Sequence, residues 1–73
     1  MAWLLKTPIC TFAIRLFHGH FALYVGDELL QTASSPEALA DNVYTHTSEY
    51  YEWDISDCEV GNSLLEWSRI ETR

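Results

Sequence analysis

The sequence predicts an α+β fold, a small antiparallel sheet of three to four strands with two helices on one face. Three observations point to it. Apolar residues alternate with period two over 9–17 and again on both sides of Gly26-Asp27. Ser34-Ser35-Pro36-Glu37 opens a stretch whose apolar residues recur at helical spacing. With 73 residues there is room for one core, so a single domain over 1–73 is expected.

Over 9–17, ICTFAIRLF, one strand face carries Cys10, Phe12, Ile14 and Leu16, and the other Thr11, Ala13, Arg15 and Phe17. Pro8 lacks an N–H and suits a lead-in to that strand. His18-Gly19-His20 follows as a glycine-centred turn. FALYVGDELLQTA then reads as a hairpin, because Gly26 supplies the positive φ that a two-residue turn requires. This register puts Phe21, Leu23, Val25 and Leu30 on one face, and Ala22, Tyr24 and Leu29 on the other.

The next element is a helix. Ser34 or Ser35 can cap it, Pro36 fits its first turn, and Glu37 favours the positive end of its dipole. Ser34 with Glu37 has the spacing of a capping box. Pro36, Leu39, Ala40, Val43 and Tyr44 cover one arc, with Glu37, Asp41, Asn42 and Thr45 opposite.

From Tyr50 the pattern returns to period two. Tyr51, Trp53 and Ile55 fall on one side and Tyr50, Glu52, Asp54 and Ser56 on the other, which predicts a strand with Trp53 in the core. The last stretch, VGNSLLEWSRIE, reads as a helix capped by Asn62 or Ser63, with Ser63 and Glu66 at capping-box spacing. Its apolar residues Leu64, Leu65, Trp67 and Ile70 spread over roughly 220° of the wheel, about twice a core-facing stripe. That helix is therefore expected either to be wedged between two surfaces or to meet a partner with part of its face. The working order is β-β-β-α-β-α.

Composition narrows the function. A chain this short buries only about 60% of the surface its unfolded form exposes, so a deep substrate pocket competes with the core and a stand-alone enzyme is not expected. Two cysteines, Cys10 and Cys58, make no disulfide scaffold, and the apolar start lacks the basic leader and small-residue cleavage site of a signal peptide. No apolar run is long enough for a membrane span. A soluble, cytoplasmic protein with free thiols is expected.

The formal charge is −7, from eleven acids against four Lys and Arg, and 16–68 holds ten acids with no Lys or Arg. Such a surface repels nucleic acid and attracts basic partners. HTSEYYEWDISDCE, residues 46–59, concentrates five of the acids among three large aromatics. Glu49, Tyr50, Glu52, Asp54, Asp57 and Glu59, with Glu37 and Asp41 on the adjacent helix, form the expected partner-binding face. Tyr50 is its expected aromatic anchor. A second expected interface is the apolar helix of Leu64, Leu65, Trp67 and Ile70, serving a homodimer or an accessory subunit.

Other chemistry is thinly represented. His18 and His20 share a face at i and i+2 and could hold a metal with His46 or Cys58, which makes a small metal- or cysteine-dependent enzyme the last alternative, but H-x-H alone is a weak signal and no family-type motif surrounds the Cys. The acid pairs lack the apolar cleft that raises one carboxyl's pKa. The three glycines are isolated turn formers, and neither a phosphate-cradling loop nor a basic patch is present. No catalytic residue, cofactor or direct contact with nucleic acid is expected. In size and composition the chain resembles small acidic inhibitors and nucleic-acid mimics, phage-borne inhibitors of host defence among them. The partner expected is another protein with a basic site.

Overall fold

The computed structural model describes residues 2–61 and 63–70. Strands β1 (Ala2–Lys6), β2 (Thr11–Phe17), β3 (His20–Val25), β4 (Glu28–Ala33) and β5 (Ser68–Ile70) form one antiparallel sheet in the order β4-β3-β2-β1-β5. Helix α1 (Pro36–Tyr44), the one-turn helix α2 (Tyr51–Asp54) and a 3-10 turn (Leu64–Glu66) complete the described elements. The α+β class is as the sequence predicts, with five strands rather than three or four. No helix among the described residues is long and apolar enough to cross a membrane.

Both expected hairpins form. In the β2–β3 turn His18 and Gly19 both have positive φ, +48° and +82°, as a type I′ turn requires. In the β3–β4 turn Gly26 has φ +59° while Asp27 does not enter that region, the pattern of a type II′ turn. An irregularity follows it: Tyr24 faces Leu29 but Leu23 faces Gln31, so Leu30 is an extra residue on the edge strand. Thr7 ties the β1–β2 turn, its hydroxyl donating to the Cys10 carbonyl at 2.7 Å and accepting from the Cys10 N–H at 3.0 Å.

The core lies between one face of the sheet and the helices. Trp3, Phe12, Ile14 and Leu23 pack there against Leu39, Ala40 and Val43 of α1, Trp53 of α2 and Trp67. Phe12 is the hub, with Trp53, Tyr50 and Trp67 rings at 5.5, 6.3 and 6.5 Å. The Trp53 indole N–H donates to the Val43 carbonyl at 2.8 Å, joining α2 to the end of α1. The Trp67 indole N–H is buried and finds no acceptor among the described residues.

Four expectations are corrected. The apolar start contributes a strand, β1, because Trp3 and Leu5 alternate inward opposite Ile14 and Phe12. Ser35 rather than Ser34 caps α1, its hydroxyl accepting from Ala38 N–H at 3.3 Å, so the Ser34–Glu37 capping box does not form. The strand expected over 50–56 is α2: Trp53 is buried while Tyr51 and Ile55 are exposed, the burial of a helical turn and not of one strand face. The helix expected over 62–70 is a 3-10 turn, capped by Ser63 at 3.1 Å to Leu65 N–H, followed by β5 (Asn62 lies outside the described residues). Leu64 and Trp67, three apart, turn inward, whereas Leu65 is 95% exposed.

The face of the sheet away from the helices has no described element over it. Across β1, β2 and β3 it reads Ala2, Arg15, Ala22 in one row and Leu4, Ala13, Tyr24 in the next. The Arg15 guanidinium lies over the Tyr24 ring, 5.3 Å from its centroid.

Two substitutions test this account. Phe12→Ala removes the ring that three aromatics share and is expected to cost about 3–5 kcal/mol, read from thermal or urea unfolding. His18→Asn places a residue that tolerates the left-handed region beside Gly19 and is expected to stabilise by about 0.5 kcal/mol, read as a higher melting temperature.

Candidate functional site: an acidic side with an exposed apolar knuckle

The acidic stretch is shaped by a strained loop between α1 and α2. His46 and Glu49 both have left-handed backbones, φ +59° and +73°, which side-chain-bearing residues adopt at a cost. Asp54 holds this loop. Its Oδ1 accepts from the Ser48 N–H at 3.0 Å and the Ser48 hydroxyl at 2.8 Å, and its Oδ2 from the Glu49 N–H at 3.1 Å. Ser48 is fully buried, so these bonds replace water it cannot reach. The His46 ring stacks on Trp53 at 4.9 Å, and its Nδ1 donates to the Trp53 carbonyl at 2.9 Å. On the other side of the loop Gln31 donates to the Thr47 carbonyl at 3.1 Å and accepts from the Asn42 amide at 2.6 Å, pinning the loop to β4.

Two members of the expected binding face are thereby reassigned. Asp54 is committed to loop amides, so its carboxylate is a structural group. Tyr50 is half-buried against Phe12 and is no free anchor. Burial first, then the electrostatic influence of Glu52, Cys10 and Glu28, holds the Tyr50 hydroxyl above its ordinary pKa.

Glu37, Asp41, Glu49, Glu52, Asp57 and Glu59 are exposed. Their elements are held on the helix-covered side by Leu39, Trp53, Cys58 and Val60, which pack into or against the core. Glu66 folds back onto Gly61, where its carboxylate fills the space a Cβ would take. Sequence reasoning missed the apolar element of this surface. Tyr51 at the start of α2 and Ile55, which caps its C-terminal end four residues on, are 71% and 65% exposed, at the spacing of neighbours on one helical face. Their i, i+4 spacing, with Trp53 on the opposite side of the turn, was the available signal.

The apolar helix expected as a second interface is split. Leu64 and Trp67 belong to the core, while Leu65 and Ile70 face outward on different elements. The histidines are also separated. His18 and His20 flank the β2–β3 turn, whereas His46 sits on Trp53, beside Phe12 at the other end of β2, about 20 Å away at strand rise. Among the described residues no group of three or more His, Cys, Asp or Glu could hold a metal ion. Cys10 and Cys58 are free and half-buried. Burial pushes the Cys10 thiol up, Glu52 adds to that, and the Thr7 hydrogen bond only partly offsets it, the opposite of an activated thiolate.

Asp54→Ala leaves three loop donors without their acceptor and is expected to cost about 2–3 kcal/mol. The check is the melting temperature together with faster amide exchange at Ser48 and Glu49.

Comparison with family models, curated proteins and solved structures finds no match to the chain, so a functional reading rests on its own residues.

Proposed function

We propose that this protein is a small acidic binding module that docks the helix-covered side of its sheet on the basic site of another protein, acting as an inhibitor or regulator of a nucleic-acid-handling partner. The observation that carries the reading is a separation of charge. The ten carboxylates of the described residues lie on the helix side or at the β3–β4 turn, and none on the open sheet face, whose charged groups are Lys6 and Arg15; Arg69, opposite Trp3, stands on the helix side. Fixed carboxylates at a surface offer an Arg-rich site the charge-assisted partners that phosphates would otherwise supply.

The Tyr51–Ile55 knuckle gives this surface a desolvatable centre. Tyrosine at an interface contributes contact area at little entropic cost, and surrounding charges set orientation and association rate. Glu52, between the two, is placed to meet a guanidinium at the rim. The rigid loop held by Asp54 fixes this arrangement before binding, which reduces the ordering cost of association.

The test is capture of partners from a source lysate on immobilised wild-type protein, beside Tyr51→Ala and Glu52→Lys variants. Proteins that bind nucleic acid are expected to be retained at low salt and released by about 0.5 M salt or by added duplex DNA. Both variants are expected to lower retention by about tenfold or more. Retention that resists salt and is indifferent to both substitutions overturns the reading.

A further inference from the structure

We propose that two copies of this chain pack through their open sheet faces, leaving the acidic sides pointing outward in opposite directions. Three observations carry this. The first is relief. Along each row and along each strand a large side chain alternates with alanine: Ala2, Arg15, Ala22 above Leu4, Ala13, Tyr24. The three alanines are buried at 0–9% exposure by their larger neighbours, although no described element covers them. Relief is therefore shallow: the alanines are sealed by their neighbours, and the face is an even surface on which a second sheet can stack at the usual spacing of about 10 Å.

The second observation is charge. Each copy carries a formal −7, so most encounters between copies bring carboxylates together. Open face against open face is the contact that opposes no described carboxylate to another, and it sets the acidic sides furthest apart. The cations of this face are accommodated differently. Lys6 lies at the end of β1 where it reaches solvent, and Arg15 is backed by its own Tyr24 ring. Repulsion between two Arg15 groups remains, and it gives the interface a salt dependence opposite to that of the acidic side.

The third is area. Four strands of five to seven residues and the three-residue β5, about 4.8 Å apart, offer roughly 400–500 Å² per copy, the size of a weak interface. Phe17, Leu29 and Ile70, each 36–44% exposed, provide apolar contacts around the alanines. An interface of this size suits a weak dimer in exchange with monomer.

Sedimentation equilibrium across protein concentration, at about 0.05 and 0.5 M salt, tests it. Mass is expected to rise from one chain's 8.4 kDa toward twice that value, at lower concentration in the higher salt. Leu29→Glu, on the open face of β4, is expected to weaken the dimer by about 30-fold or more. Leu65→Glu, on the 3-10 turn, is expected to leave it unchanged. Thr32→Glu, exposed on the same face of β4, is the second probe should Leu29→Glu not fold, as judged by circular dichroism. A protein that stays monomeric at millimolar concentration in both salts overturns the proposal. So does a dimer that Leu65→Glu abolishes while the β4 variants keep it. Glu52→Lys reports separately: loss of partner capture with an unchanged dimer constant keeps the fates of the two proposals apart.

Discussion

The packing of α1, α2 and the loop between them on the sheet depends on how Trp53 seats against Phe12. The strands pair by local hairpins, but a five-stranded sheet with one apolar face is stable only when that face is covered. Trp53 does this at the point where the chain has the least regular structure. Its ring meets Phe12 edge-on, its N–H shares the Val43 carbonyl near the end of α1 with the His46 backbone N–H, and its own carbonyl receives the His46 ring. Three directions are thus fixed by one side chain: toward the sheet, toward α1 and toward the loop. The positive-φ residues His46 and Glu49 are the conformational cost of bringing it there, offset by burial of a large indole and by the Asp54 network.

The sheet side of the chain was legible because its signals agree. Over 11–33 the alternation, the glycines and the turn lengths all give one register, and the faces assigned from sequence are those of the fold. Helix α1 was legible for the same reason, with cap, proline and apolar arc coinciding. Residues 51–55 were not. Positions 51, 53 and 55 satisfy a strand, while 51 and 55 alone satisfy a helix with 53 behind them. Five residues cannot separate the two periods, and the contact that decides between them, Trp53 with Val43 and Phe12, is distant in sequence. The tail misled in another way. The apolar arc was too wide for one helix because two conformations share it: an inward pair at spacing three, Leu64 and Trp67, and then a strand. An over-wide arc is better read as a change of period than as a second interface.

Of the candidate site, the carboxylates were visible in the sequence and their arrangement was not. Composition identifies the acids but not which one is withdrawn to hold a loop, and Asp54 differs from Glu52 in having the donors of Ser48 and Glu49, six and five residues earlier, within reach. The exposed knuckle inverts the usual expectation that an aromatic between acids faces the core. The open sheet face carries its meaning in cross-strand rows, and a row combines residues from three strands that no sequence window contains.

The pairing of β1 with β5 sets residues 2–4 beside 68–70. This contact joins the most distant parts of the described chain, and closing a loop of that span costs about 4 kcal/mol of chain entropy before any contact rewards it. The meander of β1 to β4 has no such requirement, since each strand meets the next across a short turn. Order of assembly follows: the meander and α1 can form first, and β5 docks last on an edge already present. The same asymmetry governs opening. β5 is a short edge strand of three exposed residues, so its opening would bare the β1 edge while the central strands stay paired.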